Sequence, residues 1–213
     1  MFKKISPWLI ASAMMVRAPV FALSPEVTQL QKEWAEIKYK TPKHDQEKKF
    51  AVLVKQAADH VMVASKDPEA LIWYGIIESS YAGAKGGLGA LSHAKNAKKT
   101  LEQAIAIGPK ALDGSALTSL GSLYYQVPGW PIGFGDDTKA MDYLRQGLSV
   151  NPNGIDPNFF YGDFMFRSGD YLAAEQALRK ARQAPPRPGR NLADEGRRQE
   201  IDQLLAKIAD KQR

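Results

Sequence analysis

The residue types that carry most enzyme chemistry are sparse and scattered in this chain. Its three histidines are His44, His60 and His93. None belongs to an HExxH pair or another paired-ligand pattern, and no EF-hand loop occurs. Asp59 and His60 are adjacent, so on a helix they point in different directions. No serine sits in a GxSxG elbow, and no histidine has a nucleophile partner at a recognisable spacing. The chain has no cysteine, which excludes disulfides, thiolate catalysis, cysteine-ligated zinc and a lipoprotein anchor. Gly133-Phe134-Gly135 is a lone GxG without a following Lys-Ser/Thr, too little for a nucleotide loop. These residues predict no catalytic group, no metal and no cofactor. An enzyme with its site in inserted turns is the minor alternative.

What remains is chemistry of recognition. The run Val127-Pro128-Gly129-Trp130-Pro131-Ile132-Gly133-Phe134-Gly135-Asp136 combines two large aromatics with prolines that stiffen it and glycines that loosen it. Two readings of it stay open. Trp130 and Phe134 fold back to fill a gap between helices, since large aromatics gain most from burial. Alternatively they line a ligand or partner site, because loops on a rigid scaffold often carry function.

The scaffold is most regular from Ile155 to Pro186. Asp156 is suited to a helix N-cap and Pro157 to the first helical position. Phe159, Phe160, Gly162, Phe164, Met165 and Phe166 follow, and Gly169-Asp170 breaks the run. Tyr171, Ala174, Ala177, Leu178 and Ala181 mark the buried stripe of a second helix, and Pro185-Pro186 ends the unit. Gly162 and Ala174 are small enough to let the two helices approach closely. Two upstream copies are less regular. Leu120-Gly121 and Tyr124 precede Ala140, Leu144, Gly147 and Pro152. Tyr74-Gly75 precedes Ala97, Leu101, Ala104 and Pro109. Gly162 and Ala174 are 12 residues apart, whereas Gly121 and Ala140 are 19 apart and Gly75 and Ala97 are 22 apart. The extra residues, including the glycine-rich run after Tyr81, are expected in the turns within each pair. Consecutive repeats then bring both inserted turns to one edge.

These spacings resemble the tetratricopeptide repeat over roughly Pro68 to Pro186. The resemblance implies an all-α, right-handed helical solenoid with two loop-inserted repeats and a C-terminal capping helix. It also implies a concave face lined by first-helix residues, here Ser79, Thr118, Ser122, Tyr125, Phe159, Asp163, Phe166 and Arg167. Asp163 and Arg167 are four apart and so placed to pair with each other. Lys85, Trp130 and Phe134 are the candidates in the inserted turns. The Pro/Gly-rich loop before Gly135-Asp136 and its helix also looks like the periplasmic T component of TRAP solute transporters, although many of those carry a lipidated cysteine. That resemblance implies self-association and binding of a transporter subunit or a small solute. The reading reached is an exported binding or scaffold module that mediates protein–protein interactions in the cell envelope. The transporter-associated solute binder is the first alternative.

Four segments are expected. Residues 1–22 read as a secretory signal, with Lys3 and Lys4, an apolar run from Ile5 to Val16, and cleavage after Ala22. The expected location is periplasmic or secreted, and no membrane span is expected in the mature chain. Residues 23–66 form an N-terminal helical pair, with Val27, Leu30, Trp34 and Ile37 on one face and Phe50, Leu53, Ala57 and Met62 on the other helix. Residues 67–186 hold the repeats. Residues 187–213 form the capping helix, with Ile201, Leu204, Leu205 and Ile208 buried and Arg197, Arg198, Gln199 and Lys207 facing water.

The formal net charge is +6. Without Lys3, Lys4 and Arg17 it is +3, from 26 basic and 23 acidic residues. That is too mild to argue for nucleic acid. Basic residues gather late, at Arg179, Lys180, Arg182, Arg187, Arg190, Arg197 and Arg198. Asp194, Glu195, Glu200 and Asp202 interleave with the last of them. The expected outcome is a solvated, ion-paired face, with an anionic partner surface as the alternative.

Overall fold

The computed structural model describes residues 23–213, and among these the chain is all-helical. The expected signal, residues 1–22 with its cleavage point, lies outside the described residues. The helices are α1 (Pro25–Lys40), α2 (Lys43–Val63), α3 (Pro68–Lys85), α4 (Gly87–Ile107), α5 (Ser115–Gln126), α6 (Asp137–Val150), α7 (Ile155–Arg167), α8 (Tyr171–Arg182) and α9 (Asn191–Lys211). None of them is long and apolar enough to cross a membrane.

Capping side chains set several of the boundaries. Ser24 Oγ accepts from Val27 N at 3.1 Å, and Asp67 accepts from Glu69 N at 2.9 Å. Asp136 and Asp170 each accept from the backbone three residues on, at 3.0 Å, ahead of α6 and α8. Each such bond satisfies one amide that the first helical turn leaves unpaired. Asp156 departs from expectation. The N-cap of α7 is Gly154, and Asp156 lies inside the first turn, where its carboxylate is free to serve elsewhere.

Three helix pairs, α3/α4, α5/α6 and α7/α8, supply the most extensive packing together with α2 on α3. Each pair closes on the same device. A β-carbon on Gly75 would stand 2.7 Å from Leu101 Cγ, one on Gly121 2.9 Å from Leu144 Cγ, and one on Gly162 2.8 Å from Leu178 Cγ. Ala97, Ala140 and Ala174 lie one turn before these leucines, and all six alanine and leucine side chains are fully buried. The spacing read from the sequence therefore corresponds to a repeated physical contact.

The first insertion is not a loop. Tyr81 to Lys85 continue α3, Gly87 starts α4, and only Gly86 breaks the run, at φ 64° and ψ −177°. That backbone conformation is essentially confined to glycine. Alanines at 82, 84 and 90 favour helix enough to carry the neighbouring glycines. The lengthened hairpin is also tied across its width. Buried Glu78 accepts from Asn96 and pairs with His93 Nδ1 at 2.7 Å, and Asn96 donates to Tyr74 OH at 2.8 Å.

The second insertion is a loop, and it is tightly ordered by its own backbone. Gly135 N donates to Pro128 O, Gly133 N to Gly129 O, and Asp136 N to Tyr124 O, each within 2.9–3.0 Å. The Trp130–Pro131 peptide is cis. A β-carbon on Gly135 would stand 2.0 Å from the Val127 carbonyl oxygen. The glycines therefore permit a close backbone crossing.

The last helix does more than cover the final pair. It packs on α7 and α8 and also reaches α1. The crossing with α1 is built on Gly196, where a β-carbon would fall 2.2 Å from the Tyr39 ring. Ile201, Leu204 and Ile208 are buried as expected, whereas Leu205 is half-buried. Gln199 and Lys207 face water, but Arg197 is turned inward and buried. Met62, expected in the α2 stripe, is exposed, while Phe50, Leu53 and Ala57 are buried.

Candidate binding cavity

Because α9 returns to α1, helices from both ends of the described chain border one cavity. Its volume is about 1140 Å³, and its walls come from α1, α2, α3, α5, α7, α9 and the proline-rich segment before α9. The lining mixes hydroxyls, amides, aromatic rings and charges. Trp34 Nε1 donates to Ser80 Oγ at 2.8 Å, which fixes both side chains at the wall. The Trp34 ring meets the edges of Trp73 and Tyr39, each with centroids 5.8 Å apart.

One side of the cavity is a network of charges joining α1, α7, α9 and the segment between α8 and α9. Arg197 Nε donates to Asp156 Oδ1 at 2.8 Å and Nη1 to Glu200 Oε2 at 2.6 Å. Its guanidinium lies 4.2 Å from the Phe159 ring centre and 4.7 Å from that of Phe160. Arg187 bonds to Asp156 and to buried Asp194, and Asp194 also accepts from Arg187 N at 2.8 Å. Lys38 reaches Glu200 at 3.5 Å. Burial alone would raise the Asp156 pKa, but Arg187, Arg197 and Arg190 hold it well below the usual carboxylate range. Burial raises Tyr39, with Glu200 and Asp156 adding to the rise. Burial and the Arg187 charge push Arg190 down to about 10. The late basic cluster is therefore not uniformly a solvated face. Arg197 is buried and Arg187 partly so, because only α9's fold back onto α7 brings them to Asp156.

Of the expected concave-face residues, Ser79, Ser122, Phe159, Asp163 and Arg167 border the cavity. Phe159 is 8% exposed and lies under Arg197, so it serves as a floor. Asp163 accepts from Arg167 Nε at 3.1 Å and from Tyr125 OH at 2.8 Å. Burial, reinforced by the Asp163 carboxylate, raises the Tyr125 pKa well above its ordinary value. Three placements need correction. Tyr125 does not border the cavity and packs on Phe164, 5.4 Å between ring centres. Thr118 borders the cavity, but it is 2% exposed and its hydroxyl abuts Gly147 of the paired helix, with no hydrogen-bond partner among the described residues. Phe166 packs on Tyr171 of α8 at 5.6 Å between ring centres and does not border the cavity. Gly147 makes the room that Thr118 fills on the paired helix.

The residues assigned to the inserted turns also separate. Lys85 is not in a loop. It ends α3, bonding Tyr81 OH at 3.2 Å and Glu47 at 3.4 Å. Phe134 folds back onto Tyr124, centroids 5.7 Å apart, with Lys98 of α4 at 5.9 Å from its ring centre. Trp130 is 90% exposed and Ile132 65% exposed. Phe134 thus fills a gap, as in the first reading of the loop, while Trp130 projects outward.

Several wall residues were not singled out from sequence as site candidates. Trp34 reads there only as core, and Trp73 and Arg190 carry no local motif. Their pairing needs α3 and the segment before α9 to meet. The Arg190 guanidinium lies 5.0 Å from the Trp73 ring centre. Among the described residues, no group of three or more His, Asp or Glu is placed to hold a metal ion. No protein-family model matches the chain, and no curated protein matches it.

Proposed function

We propose that the chain is an exported, non-enzymatic binding protein of tetratricopeptide type that takes a small polar solute or the end of a peptide into its inner cavity. The observation that carries this reading is the contact of α9 with α1. It makes one half-open cavity of about 1140 Å³ along the inner faces of the helix pairs. A chamber of that size suits a ligand of limited length better than a long extended partner. The three glycine–leucine contacts at equivalent positions support a tetratricopeptide-like, right-handed repeat. The Lys-apolar-small pattern of residues 1–22 supports export to the periplasm. Recognition works through shape, aromatic burial and polar contacts, without covalent chemistry. Among the family readings, the chamber favours the transporter-associated solute binder over a purely protein-binding scaffold.

A second reading has its own observation. Trp130 and Ile132 stand exposed on a stiff loop, and exposed aromatics on rigid loops are frequent anchors for a protein partner. In that reading the loop docks a subunit in the cell envelope, and the cavity is a by-product of curvature.

Native mass spectrometry of the chain purified gently from the periplasmic fraction separates the two. The solute reading expects a small-molecule adduct in stoichiometric amount, released on denaturation and kept in Trp130→Ala. A ligand-free chain with a co-purifying protein that Trp130→Ala abolishes would overturn it in favour of the scaffold reading.

A further inference from the structure

The charged network beside the cavity is not balanced. Lys38, Arg187, Arg190 and Arg197 face Asp156, Asp194 and Glu200, four cations against three carboxylates. Three of the cations are accounted for. Arg187 pairs with Asp156 and Asp194, Arg197 with Asp156 and Glu200, and Lys38 with Glu200. Arg190 feels Asp156 and Asp194 only at longer range. No carboxylate of a described residue lies within ion-pair distance of it, and its buried Nε has no hydrogen-bond partner there.

A second orphan sits beneath it. Trp73 is 2% exposed, and its Nε1 is buried without an acceptor among the described residues. Buried donors are normally paired, because an unmet one costs about 1–3 kcal/mol. The two orphans belong to residues stacked on each other at the cavity wall. The wider lining points the same way, with seven basic and four acidic side chains. A basic, partly desolvated wall attracts anions more strongly than an exposed one.

We propose that Arg190, stacked on the Trp73 indole, forms a carboxylate subsite of the inner cavity that receives one monoanionic group of the ligand. The surplus of a single cation matches one carboxylate. Arginine suits the task because its planar fork binds a carboxylate through two parallel hydrogen bonds. Trp34, Phe160 and the serines around Ser80 then accommodate the rest of the molecule. This rests on the solute-binding reading and assigns the chemical class of that solute. The carboxylate has two sources, a free small acid or the C-terminus of a peptide.

The test is calorimetric titration of the full chain with two probe sets. One set is the straight-chain monocarboxylates from acetate to octanoate and their primary amides. The other is tetrapeptides of randomised sequence with free or amidated C-termini. The expected result is binding by the free acids of at least one set, with the matching amides weaker by about tenfold or more. The responding set identifies the source. Arg190→Gln should cause the same loss in the acids and leave the amides unchanged, and Arg190→Lys should fall between. Amides that bind as tightly as their acids, an Arg190→Gln chain that binds acids normally, or silence in both sets would each overturn the carboxylate subsite. The amide comparison uses the unaltered chain, so it decides even if Arg190→Gln fails to fold. Silence here together with a stoichiometric neutral adduct in native mass spectrometry would sink the subsite and spare the solute-binding reading.

Discussion

Gly162 faces Leu178 so closely that a β-carbon would stand 2.8 Å from Leu178 Cγ and 3.3 Å from the Ala174 carbonyl oxygen. The leucine could shift, but the carbonyl belongs to a helix backbone that cannot. Gly162→Leu should therefore force α7 and α8 apart and cost about 1–3 kcal/mol or more. Better helix propensity offsets under about 1 kcal/mol of that. Urea unfolding measures the difference, and a variant as stable as the parent would refute the close-packed register.

Arg197 is buried between Asp156, Glu200 and two phenyl rings. Arg197→Ala removes a cation from two carboxylates at once and leaves a void above Phe159. Breaking such a buried pair costs about 3–5 kcal/mol. Chemical denaturation gives the number, and a loss within experimental error would mean that water replaces the guanidinium at little cost.

The depressed pKa of Asp156 predicts acid sensitivity of defined sign. In the unfolded chain this carboxyl titrates near about 3.9. In the folded chain it stays charged to lower pH, so below about pH 4 the unfolded state binds the extra proton and stability falls. The contribution is fully present above that value. Asp156→Asn should be less stable at neutral pH and should flatten the loss between about pH 4 and pH 2. An unchanged acid slope in the variant would show that other carboxylates dominate.

Trp130 and Phe134 share one loop but predict opposite results. Trp130→Ala, at a 90% exposed side chain, should change stability by no more than about 0.5 kcal/mol. Phe134→Ala removes a half-buried ring from Tyr124 and should cost about 1–2 kcal/mol. Thermal unfolding of the two variants side by side checks the assignment. Equal losses would mean that Trp130 also packs on the body.

Thr118 offers a stabilising change. Its hydroxyl is buried without a hydrogen-bond partner among the described residues. Thr118→Val keeps the shape and removes the unmet group, and a gain of about 0.5–1 kcal/mol is expected. A loss in urea unfolding would point to a water held at that hydroxyl.

Local rules made much of the helical architecture readable. Ser24, Asp67 and Asp136 cap the helices that follow them, because a cap depends only on a side chain and the next three amides, whereas Asp156 lies inside the first turn of its helix. The Gly75, Gly121 and Gly162 positions, with their alanine and leucine partners, were readable because close approach of two helices admits few residue types. The length of the first insertion was readable, but its shape was not. Glycines at 83, 86, 87 and 89 look like a loop in isolation, yet hairpin packing and the Glu78–His93–Asn96 bonds hold nearly all of them in helix. The site was readable only in part. Ser79, Ser122, Asp163 and Arg167 border the cavity at first-helix positions that the repeat resemblance implies, whereas Thr118, Tyr125 and Phe166 pack on neighbouring side chains or helices whose rotation no spacing records. Arg190 on Trp73 and Arg197 on Asp156 join residues 117 and 41 positions apart. Those contacts exist because Gly196 lets α9 close on Tyr39, a long-range fit that depends on the curvature of every helix pair between them.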